Sequence, residues 1–171
     1  MKVVSLVLIM LLFSACGYTP SAKFSRDVVG EKVSTSIIVS SVDPENTVII
    51  KDAMDAAIIE VFHASLTSKS LAKTHLVVNL SDPVYAPVQY DAQGFVVGYR
   101  AYTTIFVTRS TGESNKKYTA KGTYDFDVTP NSVITDKQRF NAIKFSSVKA
   151  IRAFVSQVSA EGARENNKKE D

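Results

Sequence analysis

Between residues 118 and 128 the chain alternates without a break. Tyr118, Ala120, Gly122, Tyr124, Phe126 and Val128 fall on one parity, and Thr119, Lys121, Thr123, Asp125 and Asp127 fall on the other. Such a strand has one packed side and one wet side, as in an antiparallel sheet covered on a single face. The rest of the chain must therefore supply a layer to cover it.

Two stretches have the period to do so. The first opens at Asp43-Pro44-Glu45, a capping carboxylate, a proline at the first helical position and an acid in the first turn. Ile50, Ala53/Met54, Ala57/Ile58 and Val61/Phe62 then recur at helical spacing, and the pattern predicts a helix to about Leu66, ended by the polar run 67–70. The second opens at Thr135 with Gln138 three residues on, a capping-box pattern. Phe140, Ile143, Ser147/Val148, Ile151, Phe154/Val155 and Val158 mark its buried stripe, and the helix is expected to end near Gly162. Residues 163–171 are nearly all polar or charged and read as a disordered tail.

Strand signals fill the remainder. Residues 32–42 place Val33, Thr35, Ile37 and Val39 on one parity, and residues 75–80 form a second apolar run. Asp82-Pro83 and Ala86-Pro87 punctuate the next segment, so residues 84–90 read as an edge strand or an extended loop, with a turn at 91–94. Residues 95–108 read as a long strand, joined through the polar, Gly112-containing stretch 110–117 to the alternating strand. The order is β-α-β-β-β-α. It predicts an α+β fold, a two-layer sandwich with both amphipathic helices on one face of a mainly antiparallel four-stranded sheet.

The N-terminus carries a different message. Lys2 is followed by an apolar run at 3–13, then Ser14-Ala15-Cys16. The run has the length of a signal-peptide core and is too short to span a bilayer as a helix. Cys16 is the only cysteine in the chain. A thiol without a partner, behind small residues where an exported segment ends, reads as a lipoprotein acceptor. Phe13 stands where such a box usually has leucine. On this reading residues 1–15 are a removed signal peptide, residues 16–31 a lipidated tether, and residues 32–162 a single domain held together by packing alone, because no disulfide can form. Gly17 after the cysteine is compatible with transfer to an outer membrane. A net charge of +3 gives no argument for nucleic acid.

Enzyme chemistry has few candidates. His63 and His75 are isolated, no HExxH pattern occurs, and no G-x-S-x-G elbow is present, so neither a metal site nor a catalytic set is expected, and no cofactor. Asp125 and Asp127 share a strand face and read as solvated acids beside Lys121 rather than a glycosidase pair. Binding has better candidates. Arg100, Arg109, Lys116, Lys117 and Lys121 could form a cationic edge for phosphate or carboxylate groups, or an edge that discourages aggregation. Tyr85, Tyr90, Tyr99 and Tyr102 cluster around the 91–94 turn and suit a protein interface or sheet packing.

The lipobox, the sequence Cys16-Gly17-Tyr18 and the element order together resemble LptE, the lipopolysaccharide-assembly lipoprotein of Gram-negative outer membranes. After that point the chain continues with Thr19-Pro20-Ser21, where relatives of that type often have a basic, glycine-containing stretch. The resemblance implies a non-enzymatic protein that is anchored in the outer membrane and plugs the lumen of the LptD β-barrel. It implies that the protein helps that barrel assemble and contacts lipopolysaccharide. By position, Arg100, Arg109, Lys116, Lys117 and Lys121 would meet lipid A phosphates, and residues 82–94 would touch the barrel. The alternative from residues alone is an unrelated periplasm-facing lipoprotein that binds a ligand, the cell wall or another envelope protein.

Overall fold

The computed structural model describes residues 32–39, 44–62, 66–112 and 114–170. Cys16, the expected signal peptide and tether, Asp43 and His63 lie outside these residues. The elements in chain order are β1 (Val33–Val39), α1 (Pro44–Phe62), β2 (Thr74–Leu80), β3 (Val84–Tyr90), β4 (Val96–Thr111), β5 (Ser114–Asp127) and α2 (Asp136–Glu170). The fold is α+β, as the patterning requires.

The sheet has five strands, not the expected four, because residues 84–90 pair as a true edge strand. β2 and β3 lie end to end along one edge of β4: His75–Leu80 face Ser110–Ile105, and Val84–Tyr90 face Tyr102–Val96. Ser81-Asp82-Pro83 interrupts what would otherwise be one continuous strand. Proline has no N–H to give the ladder, which confines it to edges. Pro87 sits on β3, whose free edge needs no donor, and the register shifts beside it. The other edge of β4 is paired with β5 along its full length, from Gly98↔Asp127 to Thr111↔Ser114. β1 joins β2 in parallel, and the other pairings between these strands are antiparallel.

Both helices cover one face. α2 lies over β5 and β4, and α1 packs against α2 and β1. Between them they bury Val33, Met54, Leu76, Leu80, Ile105, Val107, Ile143, Ile151, Phe154 and Val158. Ala53, Met54 and Ala57 supply the predicted α1 stripe. The capping box forms: the Gln138 N–H donates to Thr135 Oγ1, and the Thr135 N–H donates to Gln138 Oε1. Gln138 Nε2 also donates to the Asp127 carbonyl, which ties the start of α2 to the end of β5. At the other end the expected stop near Gly162 does not occur, and helical backbone continues to Glu170. One glycine costs only about 1 kcal/mol relative to alanine, and good helix formers on either side outweigh it.

The helix-to-sheet distance is set by small residues. Gly122 lies directly beneath α2. A Cβ there would overlap the Ser146 carbonyl oxygen and stand 2.5 Å from the Ala150 nitrogen. Ser146 and Ala150 are fully buried, and the Ser146 hydroxyl meets that of Thr103 on β4 at 2.6 Å. Gly122→Ala should therefore push α2 off the sheet and lower unfolding stability by about 3 kcal/mol, at the upper end for overpacking. Urea denaturation of the purified chain measures it. Thr135→Ala, which removes only the cap, should cost about 1 kcal/mol.

Candidate interaction surfaces

The two sheet faces divide the sequence-derived candidates. Arg109 points to the helix side and is 7% exposed. It lies 5.6 Å over the Tyr118 ring and 3.4 Å from Glu161 on α2. Lys116 pairs with the same carboxylate, and Tyr118 donates to its other oxygen at 2.6 Å. Burial alone would raise the Glu161 pKa, but the hydrogen bonds from Lys116 and Tyr118 and the Arg109 charge outweigh it and hold the carboxyl low. The same burial, with the hydrogen bond to Glu161, pushes the Tyr118 hydroxyl up to about 12. These groups clamp α2 to the β4–β5 hairpin.

Arg100 lies on the opposite, open face. It grips Asp125 with two parallel bonds, Nε to Oδ1 at 2.6 Å and Nη2 to Oδ2 at 2.7 Å. The bond to Arg100 lowers the Asp125 pKa. Lys117 and Lys121 are exposed on that face, across from Thr108 and Thr104. The five basic residues thus do not form one patch. Arg109 and Lys116 are joined through Glu161 on the helix side, while Arg100, Lys117 and Lys121 stand on the open side.

The tyrosines divide likewise. Tyr85 and Tyr99 turn inward and meet Phe126, at 6.2 Å edge-on and 6.0 Å stacked. Tyr102 lies on the open face, and Tyr90 lies near the end of the β3–β4 hairpin. The turn there is held by Asp91, whose Oδ1 accepts the Gln93 and Phe95 N–H groups, and Gly94 takes a φ of 86°. Val88 (45% exposed), Tyr90 (58%) and Phe95 (42%) leave this tip apolar on its surface. Val84, opposite Tyr102, and Phe106 and Ile38, on either side of Asn79, add exposed apolar area to the open face. Residues 106 and 38 fit the strand alternation but sit on its wet parity, so periodicity assigns them to solvent without marking them as a surface.

Among the described residues, no cluster of His, Cys, Asp and Glu could hold a metal ion, and no helix is long and apolar enough to cross a membrane. His75 bridges two β1 hydroxyls, Nδ1 to Ser34 at 2.8 Å and Nε2 to Ser36 at 3.4 Å.

No protein-family model matches the chain, and no curated protein matches it in sequence. Solved structures do. A candidate lipoprotein from Caulobacter crescentus aligns at 9% identity and a TM-score of 0.47, covering 84% of this chain and 98% of its own. Rare lipoprotein B from Shewanella oneidensis aligns at 11% identity and 0.37, covering 80% and 96%. The PelC dodecamer subunit from Paraburkholderia phytofirmans aligns at 12% identity and 0.37, covering 72% and 90%.

The Glu161 clamp has a pH signature. A carboxyl whose pKa is lowered on folding contributes stability above its unfolded value, and that contribution is lost as pH falls through the folded value. Glu161→Gln should therefore flatten the fall in stability below about pH 4.3, the ordinary glutamate range. At neutral pH it should cost about 2 kcal/mol, less than a fully buried pair because the site is partly solvated. Urea titrations at stepped pH read both.

Proposed function

We propose that this chain is a non-enzymatic, lipid-anchored envelope protein of the LptE type. Cys16 holds it at the periplasmic side of the outer membrane, where it plugs and helps assemble an LptD-type β-barrel and assists lipopolysaccharide delivery. The observation that carries the reading is the combination of an export-and-lipidation signal with a sandwich whose helices cover one face only. The open face and the apolar β3–β4 tip offer contact area to a larger partner, and hot-spot residues at interfaces are characteristically aromatic.

On this reading the cations that meet lipid A phosphates are Lys117 and Lys121. Arg100 is held by Asp125, and Arg109 and Lys116 are held by Glu161, so redirecting any of them to a ligand would break an existing ion pair. The tip residues Val88, Tyr90 and Phe95 take the role of barrel contact assigned to residues 82–94.

Affinity purification of the full chain from detergent-solubilised outer membranes should recover a large β-barrel protein. Recovery of the chain alone, under conditions that keep other outer-membrane complexes intact, counts against the barrel partner and in favour of an unrelated periplasm-facing lipoprotein. Lys117→Gln with Lys121→Gln should leave stability within about 0.5 kcal/mol of the parent, as expected of exposed positions. It should nevertheless reduce lipopolysaccharide captured with the protein, whereas Arg109→Gln should act first on stability.

A further inference from the structure

The two ends of the sheet differ in chemistry. One end is the apolar β3–β4 tip. At the other, the exposed residues Lys32, Lys69, Lys73 and Lys117 gather around the start of β1, the turn before β2 and the β4–β5 connection. Lys32 and Lys73 are joined directly, because the Lys73 N–H donates to the Lys32 carbonyl. Lys69 lies close enough to His75, the second residue of β2, for its charge to act with burial in lowering that pKa. None of these four lysines has a carboxylate partner among the described residues. The neighbouring Arg109, Lys116 and Glu161 add two cations and one anion. In sequence, Glu31 precedes Lys32 and Glu113 lies between β4 and β5, so the balance at this end remains cationic.

Leu71 stands between Lys69 and Lys73 and is 63% exposed, the second most exposed large apolar side chain among the described residues after Val133. It is not on a frayed end. The Leu71 and Ala72 N–H groups both donate to the Ser68 carbonyl, and the Thr67 N–H donates to the Val33 carbonyl, so the turn is held against β1. A fixed leucine flanked by solvated lysines has the form of an interfacial anchor: the apolar group enters the headgroup region while cations meet phosphates.

We propose that this end of the sheet, formed by Leu71 with Lys32, Lys69 and Lys73, docks on an anionic phospholipid surface and fixes the orientation of the domain. Two observations choose that occupant. The charge is complementary to lipid phosphates. In addition, residues 16–31, the segment between the lipidated Cys16 and the described fold, enter at Lys32, within this patch, so an anchor upstream draws this end toward the bilayer. A single lipid anchor leaves a domain free to tumble, and a second, electrostatic contact stops it. Before a barrel is engaged, the register sets the pose: Ser110 and Val96 are separated by 14 residues of β4, so the Tyr90 tip stands about 45 Å from the membrane-facing end.

The proposal rests on the lipid-anchor reading for its direction, and the test separates the two. The full lipidated chain carrying Ser70→Cys or Tyr90→Cys is labelled with a fluorophore and reconstituted in vesicles containing headgroup-nitroxide lipid. Intact mass reports the labels: one per chain if the Cys16 sulfur is acylated, two if it is not. In the second case the anchor reading fails, and docking is read by co-sedimentation of the unanchored chain with the same vesicles. In phosphatidylglycerol-containing vesicles, quenching is expected at position 70 and not at position 90. It should disappear in roughly 1 M salt, where the screening length is about 3 Å. Lys69→Gln and Lys73→Gln should each weaken it about five-fold. Leu71→Asp should weaken it without changing the thermal midpoint. Equal quenching at both positions, none at position 70, or unchanged quenching in pure phosphatidylcholine would overturn the proposal. So would absence of co-sedimentation by the unanchored chain.

Discussion

The structure depends on how closely α2 approaches the sheet at Gly122. That contact brings a helix backbone against a strand backbone, with no side chain between them. Everything else on the helix side depends on the spacing it sets. Ser146 can reach Thr103, and Phe154 can meet the Tyr118 ring at 5.2 Å. Gln157 reaches the Thr119 carbonyl, and Glu161 reaches Tyr118. A larger residue at position 122 would shift all of these in the same direction. Dense packing does not deform smoothly, so the cost would be shared along the helix rather than absorbed at one point.

Much of the architecture is legible in the chain because periodicity is a property of local residues. The strict alternation at 118–128, the stripes of both helices and the Thr135–Gln138 cap are each written in a short window. The fifth strand reads equally as an edge strand or a loop, because Pro83 and Pro87 argue against a paired strand when its place in the sheet is not known. An edge position removes that objection. The end of α2 falls beyond its expected place because Gly162 is a stop signal only where the helix has nothing further to gain, and the well-formed helical segment on either side outweighs one glycine.

The surfaces are less legible. Sequence spacing places Arg100, Arg109, Lys116, Lys117 and Lys121 together. A pleated strand instead sends consecutive residues to opposite faces, so Lys116 and Lys117 point apart. The partners that neutralise them are remote in sequence: Glu161 is 52 positions from Arg109, and Asp125 is 25 from Arg100. Such pairings come from topology alone. Leu71 is invisible for the opposite reason, since a lone leucine in a polar stretch carries no periodic signal.

The break at Ser81–Pro83 gives the molecule two sections with different obligations. β2 is committed to the core through Leu76, Val78 and Leu80, and β3 is bonded essentially to β4 alone. Residues added in matched pairs to the β3–β4 hairpin would leave every side chain on its present face and leave the helix-covered core in register. The distance that the tip projects is therefore a free variable of this architecture. It can be lengthened or shortened to suit the depth of whatever cavity receives it, while the section that folds the protein stays the same.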